Sequence, residues 1–237
     1  MIVRDRGDSW QVVMQTDHAD LSGAFARAWA EQRPGHESLV TAAERHDDGW
    51  AVWEQAPRVD GTGTPVNFLE VDVRSHLAFY RAGIAAITDE DARAGLLVSM
   101  HGAGIYRQRY GLDPGLGLSR AAEAQAEVDA FVAEQEAKFG GDPGCDRRDY
   151  ELLQLYDRLS LYFCMRDAEA GEAAEVQGYR LEPLGPWRVR LDPYPFAERP
   201  ARFSLVRRVV PKRAWTAAEF RAALDAGAER VAITVEP

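Results

Sequence analysis

Asp157 lies in the setting that most strongly indicates chemistry. It is one helical turn from Leu153 and one turn from Leu161, within the most apolar predicted helix of the chain. A carboxylate on such a face must be paired or must bind a metal, because an isolated buried charge is very costly. The spacing therefore favours a metal ligand, with a buried ion pair to an arginine as the alternative.

Imidazole groups are predicted to face the same interior. His18 precedes Leu21 by three residues, so it lies on the apolar side of its helix, and His101 is placed similarly on a later helix. His46 lies on the apolar side of another helix and is followed directly by Asp47. Each of these positions is also compatible with a hydrogen-bonded core residue, so the prediction of a site depends on their combination.

The complete candidate set mixes nitrogen and oxygen ligands. Its members lie on predicted inward faces or at the edge of an apolar stripe, and they are His18, His46, Asp47, His76, His101 and Asp157. Imidazole with carboxylate suits Fe, Mn, Zn, Co or Ni better than Mg. The residue types therefore predict one or two divalent transition-metal ions held between facing helices, as helical bundles hold them.

Helical periodicity dominates the first 170 residues. Apolar residues recur at three- and four-residue spacing in stretches that predict helices at 17–32, 38–47, 119–139 and 147–166. Between 38–47 and 119–139, a third helix carries the apolar residues from Val73 to Ile87, and a fourth begins after Thr88 and carries those from Leu97 to Ile105. Asp17 is the expected N-cap of the first helix, and Thr88 with Asp91 resembles a capping box for the fourth. A long polar loop, 54–67, separates the second and third helices.

In the rest of the chain prolines are frequent, and short β-like runs predict strands at 177–182, 187–191, 203–210 and 231–235. Thr216 with Glu219 predicts a capped helix between the last two strands. We therefore expect a mainly α fold, a bundle of about six helices over residues 1–170. A small β-rich C-terminal appendage over residues 171–237 is expected to pack on it as one structural unit.

The order of these residues resembles the HD superfamily of metal-dependent phosphohydrolases. The match consists of His18, then the doublet His46-Asp47, then Asp157, and it extends over residues 15–166. The segments QTDHA, HDDGW and LVSMH, which contain His18, His46-Asp47 and His101, are most similar to an uncharacterised bacterial HD-like family. The resemblance implies an HD-type helical bundle that binds one metal on the four matching residues. In members with two metals it implies that His76 and His101 hold the second ion.

Hydrolysis of a small phosphoester is the first functional hypothesis. A bound metal lowers the pKa of water toward ~7 and neutralises charge on phosphoryl oxygens. Asp48 is the candidate to orient the water or carry a proton. Arg45, Arg107 and Arg109 are candidates to hold phosphate, because a guanidinium matches its oxygens bidentately. The loop residues 62–65 are candidates to cover the site.

Two other functions fit the same residues. Some HD-superfamily proteins resemble the inositol oxygenases, which hold two irons on the larger ligand set, and this alternative requires His76 as a ligand. A third alternative is a binding module without turnover, in which Trp50, Trp53 and Phe68 line a pocket for a small ligand. These three aromatic residues are equally compatible with a place in the core.

The overall composition limits the classes of partner. The net charge is −10 and the chain has only two lysines, which argues against binding in a nucleic-acid groove. A small anionic substrate is still compatible with this charge, because a metal or a few arginines can make the field at a site locally positive. No apolar stretch reaches membrane-spanning length, and the N-terminus has no signal-peptide pattern, so we expect a cytoplasmic protein without membrane partners. Cys145 and Cys164 are expected to be free thiols. The Ala-rich fifth helix is a candidate to pair in a homo-oligomer.

Overall fold

The structure is a computed structural model that describes residues 1–107, 124–139, 147–165 and 173–237. Its α-helices are α1 (Gln15–Ala28), α2 (His36–Arg45), α3 (Ala51–Glu54), α4 (Val73–Glu90), α5 (Ala92–Tyr106), α6 (Gln125–Phe139), α7 (Arg147–Met165) and α8 (Ala217–Ala226). Its strands are β1 (Ile2–Asp5), β2 (Ser9–Val13), β3 (Ala174–Val176), β4 (Tyr179–Gly185), β5 (Arg188–Asp192), β6 (Ala201–Pro211) and β7 (Ala228–Glu236). Single 3-10 turns lie at Asp48–Trp50 and Phe68–Glu70.

Within the described residues, the strands form one seven-stranded sheet in the order β1-β2-β6-β7-β5-β4-β3. All neighbouring pairs are antiparallel except β5 and β7, which are parallel. The sheet joins the N-terminal strands to the C-terminal part of the chain through the pairing of β2 with β6. In this pair Trp10 lies opposite Val210, and Val12 lies opposite Arg208.

The prediction of a mainly α, HD-type helical bundle is wrong. The protein has a mixed α/β fold with a large sheet, so neither an all-α class nor a small C-terminal β appendage describes it. The prediction missed β1 and β2, which are four and five residues long and give little local signal. Their hydrogen bonds come from each other and from β6, about 200 residues later, and a local apolar pattern does not reveal such pairing.

The ends of the helices test the capping residues that were predicted from the sequence. The predicted cap at Thr216 is confirmed, since its side chain accepts from the Glu219 backbone and the Glu219 side chain accepts in return. The predicted cap at Thr88 is wrong, because its hydroxyl donates to the carbonyl of Ile84 within α4. Asp91 caps α5 instead, accepting from the backbone of the helix's first turn. Asp17 lies inside α1, which begins two residues earlier.

Helix α1 lies at the centre of the core. It packs against α2, α7 and β6, and its Phe25 ring contacts Phe163 of α7 and Phe203 of β6. A second apolar cluster contains Trp50 and Trp53, which are 1% and 5% exposed and therefore lie in the core rather than on an open pocket. None of the helices in the described ranges is both long enough and apolar enough to cross a membrane.

The long loop after α3 folds back on the C-terminal part of the chain. Asp60 closes its turn by accepting from the backbone of Thr62 and Thr64. The backbone N–H of Trp215 donates to the carbonyl of Gly63, 3.0 Å away. These contacts anchor the loop against the segment before α8, where it covers part of the second apolar cluster.

Candidate metal centre

Five of the six predicted ligands meet in the interior. His18 comes from α1, His46 and Asp47 follow α2 directly, and the remaining two come from the middle of α5 and α7. Each of the five is at most 4% exposed. Two groups form around the shared His46, one of His18, His46 and Asp47, the other of His46, His101 and Asp157. In each group the ligand atoms all lie within 4.8 Å of one another.

Two imidazole nitrogens and two carboxylate oxygens alternate around a closed ring of short distances. His18 Nε2 lies 3.1 Å from Asp47 Oδ2 and 3.4 Å from Asp157 Oδ1. His46 Nε2 lies 3.7 Å from Asp47 Oδ2 and 3.3 Å from Asp157 Oδ1. Each nitrogen thus faces both carboxylates, and each carboxylate faces both nitrogens. We call these four side chains the ligand ring.

A serine sets the orientation and the tautomer of His18. Ser160, one turn after Asp157 on α7, donates its hydroxyl proton to the Asp157 carbonyl oxygen at 2.7 Å. The same Ser160 Oγ lies 2.7 Å from His18 Nδ1 and must therefore accept from it. In the neutral imidazole Nε2 then carries a lone pair, which faces two carboxylates. That arrangement is repulsive unless a metal ion or a proton lies between Nε2 and the carboxylate oxygens.

His46 is oriented in the same manner by the backbone. Its Nδ1 lies 2.9 Å from the carbonyl oxygen of Ala43, which can only accept, so Nδ1 carries a proton. Its Nε2 is fully buried and has no aligned hydrogen-bond partner among the residues that the structure describes. A buried polar atom without a partner is costly. An atom of this kind, aimed at two carboxylates, points to a bound cation.

The imidazoles and carboxylates of the ligand ring are buried together, so each strongly affects the pKa of the others. Although burial opposes ionisation, the neighbouring imidazoles, His46 foremost, hold the pKa of Asp47 and of Asp157 below the ordinary value. Burial also opposes a charge on His46, but the two carboxylates outweigh it and raise the pKa of His46 to about 9. Without a metal, a proton on His46 therefore supplies part of the positive charge that the carboxylates require.

His101 is a neutral neighbour of the ring. Its ring centroid lies 4.9 Å from that of His46. Burial, and then the charge on His46, lower the pKa of His101 to about 4. A neutral imidazole is the form that binds metals. His101 can therefore act as a fifth ligand, next to Asp157 and His46.

His76 lies one layer farther out and belongs to neither ligand group found in the described residues. Its Nδ1 forms a hydrogen bond with the hydroxyl of Tyr106. Its ring packs against Tyr80 at 5.0 Å and Trp50 at 5.3 Å between centroids. Burial lowers the pKa of His76 to about 4, so it is a neutral imidazole in this aromatic group.

The three candidate catalytic residues form ion pairs at the surface. Asp48 accepts from Arg45 Nε at 2.7 Å, and the same guanidinium contacts Glu90. Arg107 forms an ion pair with Glu136 at 2.5 Å between Nη2 and Oε2. These contacts are separate from the ligand ring. Arg109 lies outside the described residues.

Sequence reasoning missed two residues that touch the ring. Tyr80 donates its hydroxyl to Asp47 Oδ1 at 3.0 Å, and Ser160 orients His18. A helical-spacing signal was present for both, because Tyr80 is four residues after His76 and Ser160 is three residues after Asp157. Polar residues one turn from a candidate ligand are the ones to examine for such supporting roles.

Comparison with known proteins corrects the resemblance drawn from the sequence. No curated protein and no solved structure matches the chain. The identification with the HD superfamily is wrong, because the protein has a seven-stranded sheet and is not an HD helical bundle, and because the chain matches a different family. The model of the family described as "Protein of unknown function (DUF3891)" matches residues 1–212, most of the chain. The chain therefore belongs to the DUF3891 family.

Proposed function

We propose that the protein is a metal-dependent hydrolase of a small phosphoester that holds a divalent transition-metal ion within the ligand ring. The observation that carries the proposal is the closed alternation of two nitrogens and two oxygens, with separations from 3.1 to 3.7 Å. A tetrahedral site with bonds of about 2.1 Å places its ligand atoms about 3.4 Å apart. The four nitrogen–oxygen separations lie close to this value, which supports an ion shared by the two overlapping ligand groups.

Charge balance supports a divalent ion. With both imidazoles neutral, the ionised carboxylates of Asp47 and Asp157 leave a buried charge of −2, and a buried charge of that size must be compensated. One divalent cation compensates it completely. Two imidazoles with two carboxylates are suited to Zn, Mn, Fe, Co or Ni. His101 is available as a further ligand or as a neutral hydrogen-bonding group beside the ion.

The bound ion would supply the hydrolytic chemistry by lowering the pKa of water toward ~7 and by attracting an anionic phosphoester. Around it, Asp47 and Asp157 provide fixed negative charge, and His18 and His46 are oriented by partners on their Nδ1 atoms. His76 is half-buried, is hydrogen-bonded to Tyr106, and packs against Tyr80, which contacts the ring through Asp47.

The oxygenase alternative receives less support. It requires His76 as a ligand, and His76 is hydrogen-bonded to Tyr106, outside both ligand groups. The near-complete burial of the ring favours a different second candidate, a metal ion that stabilises the fold without turnover. Structural and catalytic sites differ in whether a coordination position remains open to solvent. A measurement of hydrolytic activity, and not of metal content, therefore distinguishes the hydrolase from a purely structural metal ion.

Elemental analysis of the untagged protein, purified without chelator, tests the metal site first. We expect about one equivalent of Zn, Mn, Fe, Co or Ni, which is lost in Asp157→Asn and Asp47→Asn. Asp48→Asn is the matched control, because this neighbouring carboxylate pairs with Arg45 and should leave the metal content unchanged. Equal metal content in all four proteins, or none in any after metal is added back, contradicts the proposed site.

A screen of small phosphoesters with the metal-loaded protein tests the reaction. Hydrolysis that disappears with the metal in Asp157→Asn supports the hydrolase. Stoichiometric metal without hydrolysis of any phosphoester, combined with a large loss of thermal stability on metal removal, favours the structural ion instead.

A further inference from the structure

We infer that Tyr80 is a positioning residue for the metal site, holding Asp47 so that only its Oδ2 atom is free to bind an ion. The inference rests on the proposed metal site, and it assigns a role to a residue outside the ligand set. It predicts that one hydroxyl group, which does not itself bind the metal, determines how tightly and in what geometry the ion is held.

The direction of the hydrogen bond supports this role. Tyr80 Oη lies 3.0 Å from Asp47 Oδ1 and 3.5 Å from His101 Nε2. The hydroxyl has a single proton, and an ionised carboxylate is the stronger and nearer acceptor. Tyr80 therefore donates to Asp47, and this oxygen of Asp47 is occupied by a neutral donor.

The other oxygen of Asp47 is left for the ion. Asp47 Oδ2 faces His18 Nε2 and His46 Nε2 in the ligand ring. With Oδ1 held by Tyr80, the carboxylate is fixed about its last torsion and offers one oxygen instead of two. Partners that orient a ligand in this way typically contribute 10–100-fold to metal affinity.

Packing holds the tyrosine ring independently of its hydroxyl. Tyr80 is 5% exposed, and its ring stacks on His101 at 6.1 Å and contacts His76 at 5.0 Å between centroids. Burial raises the pKa of Tyr80 well above the ordinary value, so the hydroxyl keeps its proton at neutral pH. Phenylalanine keeps these ring contacts and removes only the oxygen, so Tyr80→Phe changes the hydrogen bond to Asp47 with little effect on the core.

Tyr106 provides a matched control in the same aromatic group. It lies on α5 and its hydroxyl forms a hydrogen bond with His76, which is outside both ligand groups. Tyr106→Phe therefore removes a tyrosine hydroxyl and a hydrogen bond to an imidazole without touching a residue of the ligand ring.

The experiment is a titration of the metal-free wild type, Tyr80→Phe and Tyr106→Phe with Co²⁺, followed by visible absorption. Circular dichroism and thermal unfolding of the metal-free proteins check that both variants fold. We expect Tyr80→Phe to bind Co²⁺ about 10–100-fold more weakly. We also expect its visible bands to shift and weaken, because the freed Oδ1 can raise the coordination number above four. Tyr106→Phe should match the wild type in both respects.

The outcomes separate this inference from the proposed function. If wild type and Tyr80→Phe bind Co²⁺ with the same affinity and the same spectrum, the positioning role is wrong while the metal site stands. If both tyrosine variants weaken binding equally, the effect is a general one of the aromatic group, and the specific role of Tyr80 is again wrong. If the wild type binds no Co²⁺, the proposed function itself fails, and the inference fails with it.

Discussion

His18 and Ser160 are 142 positions apart in the chain, yet the Nδ1 atom of the imidazole lies 2.7 Å from the serine hydroxyl oxygen. This contact joins α1 to α7 and turns the other nitrogen of His18 toward Asp47 and Asp157. Ser160 also donates to the carbonyl of Asp157, so one hydroxyl orients an imidazole and is itself held by the backbone of a second ligand.

Ser160→Ala should therefore weaken metal binding by about tenfold, at the low end of the range for such supporting partners. The fold should persist, because alanine leaves the helix intact. Ser22→Ala is the matched control: Ser22 is also fully buried, but its hydroxyl has no partner among the described residues, so its removal should leave metal affinity unchanged. Isothermal titration calorimetry of the metal-free proteins measures both affinities. A wild-type affinity for Ser160→Ala would show that the contact does not support the site.

Metal affinity should increase with pH. An ion that binds His46 Nε2 must displace the proton that His46 holds below its raised pKa of about 9. His101, whose pKa is lowered to about 4, and the two carboxylates, whose pKa values are also lowered, have already lost their protons near neutral pH. One displaced proton corresponds to about a tenfold gain in affinity per pH unit, levelling off above about pH 9.

Titration of metal into the metal-free protein at pH 7, in two buffers of different ionisation enthalpy, gives the number of protons released. About one proton is expected, and an affinity that is constant between about pH 6 and pH 8 would contradict the prediction. Asp48→Asn, which leaves the ligand ring untouched, should release the same number of protons as the wild type.

Removal of the metal should destabilise the protein. A ligand present at 1,000 times its dissociation constant stabilises the native state by about 4 kcal/mol. For a chain of this length, that corresponds to a melting temperature about 10 °C higher. Differential scanning fluorimetry with chelator and after metal is restored measures the shift. The Asp157→Asn variant should melt at the same temperature with and without metal, and a shift of equal size in that variant would place the metal elsewhere.

Gly49→Ala should destabilise the fold next to the ligand ring. A Cβ atom at position 49 would lie 1.9 Å from the carbonyl oxygen of Phe79, so α4 packs directly on this backbone. Overpacking of this kind typically costs about 1–3 kcal/mol of the free energy of unfolding. Gly61→Ala is the control, because nothing lies within 4 Å of a Cβ there. Urea unfolding of both variants tests the prediction, which equal stabilities would contradict.

The inward-facing positions of His18, His101 and Asp157 could be predicted from the sequence because they depend on helical periodicity. Residues three and four apart share a helix face whatever the helix packs against. The same local rule identified the capping box of Thr216 and Glu219. It also suggested which residues could share a site, because polar groups on apolar helix faces are buried together and must pair with one another or bind a metal.

The sheet and the support of the site were decided by contacts between distant segments. Strand β2 obtains its partner from β6, so its few residues gave no reliable local signal, and the mainly α prediction and the HD resemblance failed on that point. Whether His76 joins the ligands or turns to Tyr106 also depends on how α4 meets α5. Periodicity determines which face of an element is apolar, whereas the partner of each polar atom depends on packing between elements. The inward faces of the helices were therefore determined by the sequence alone, and only the tertiary structure decided which residues meet.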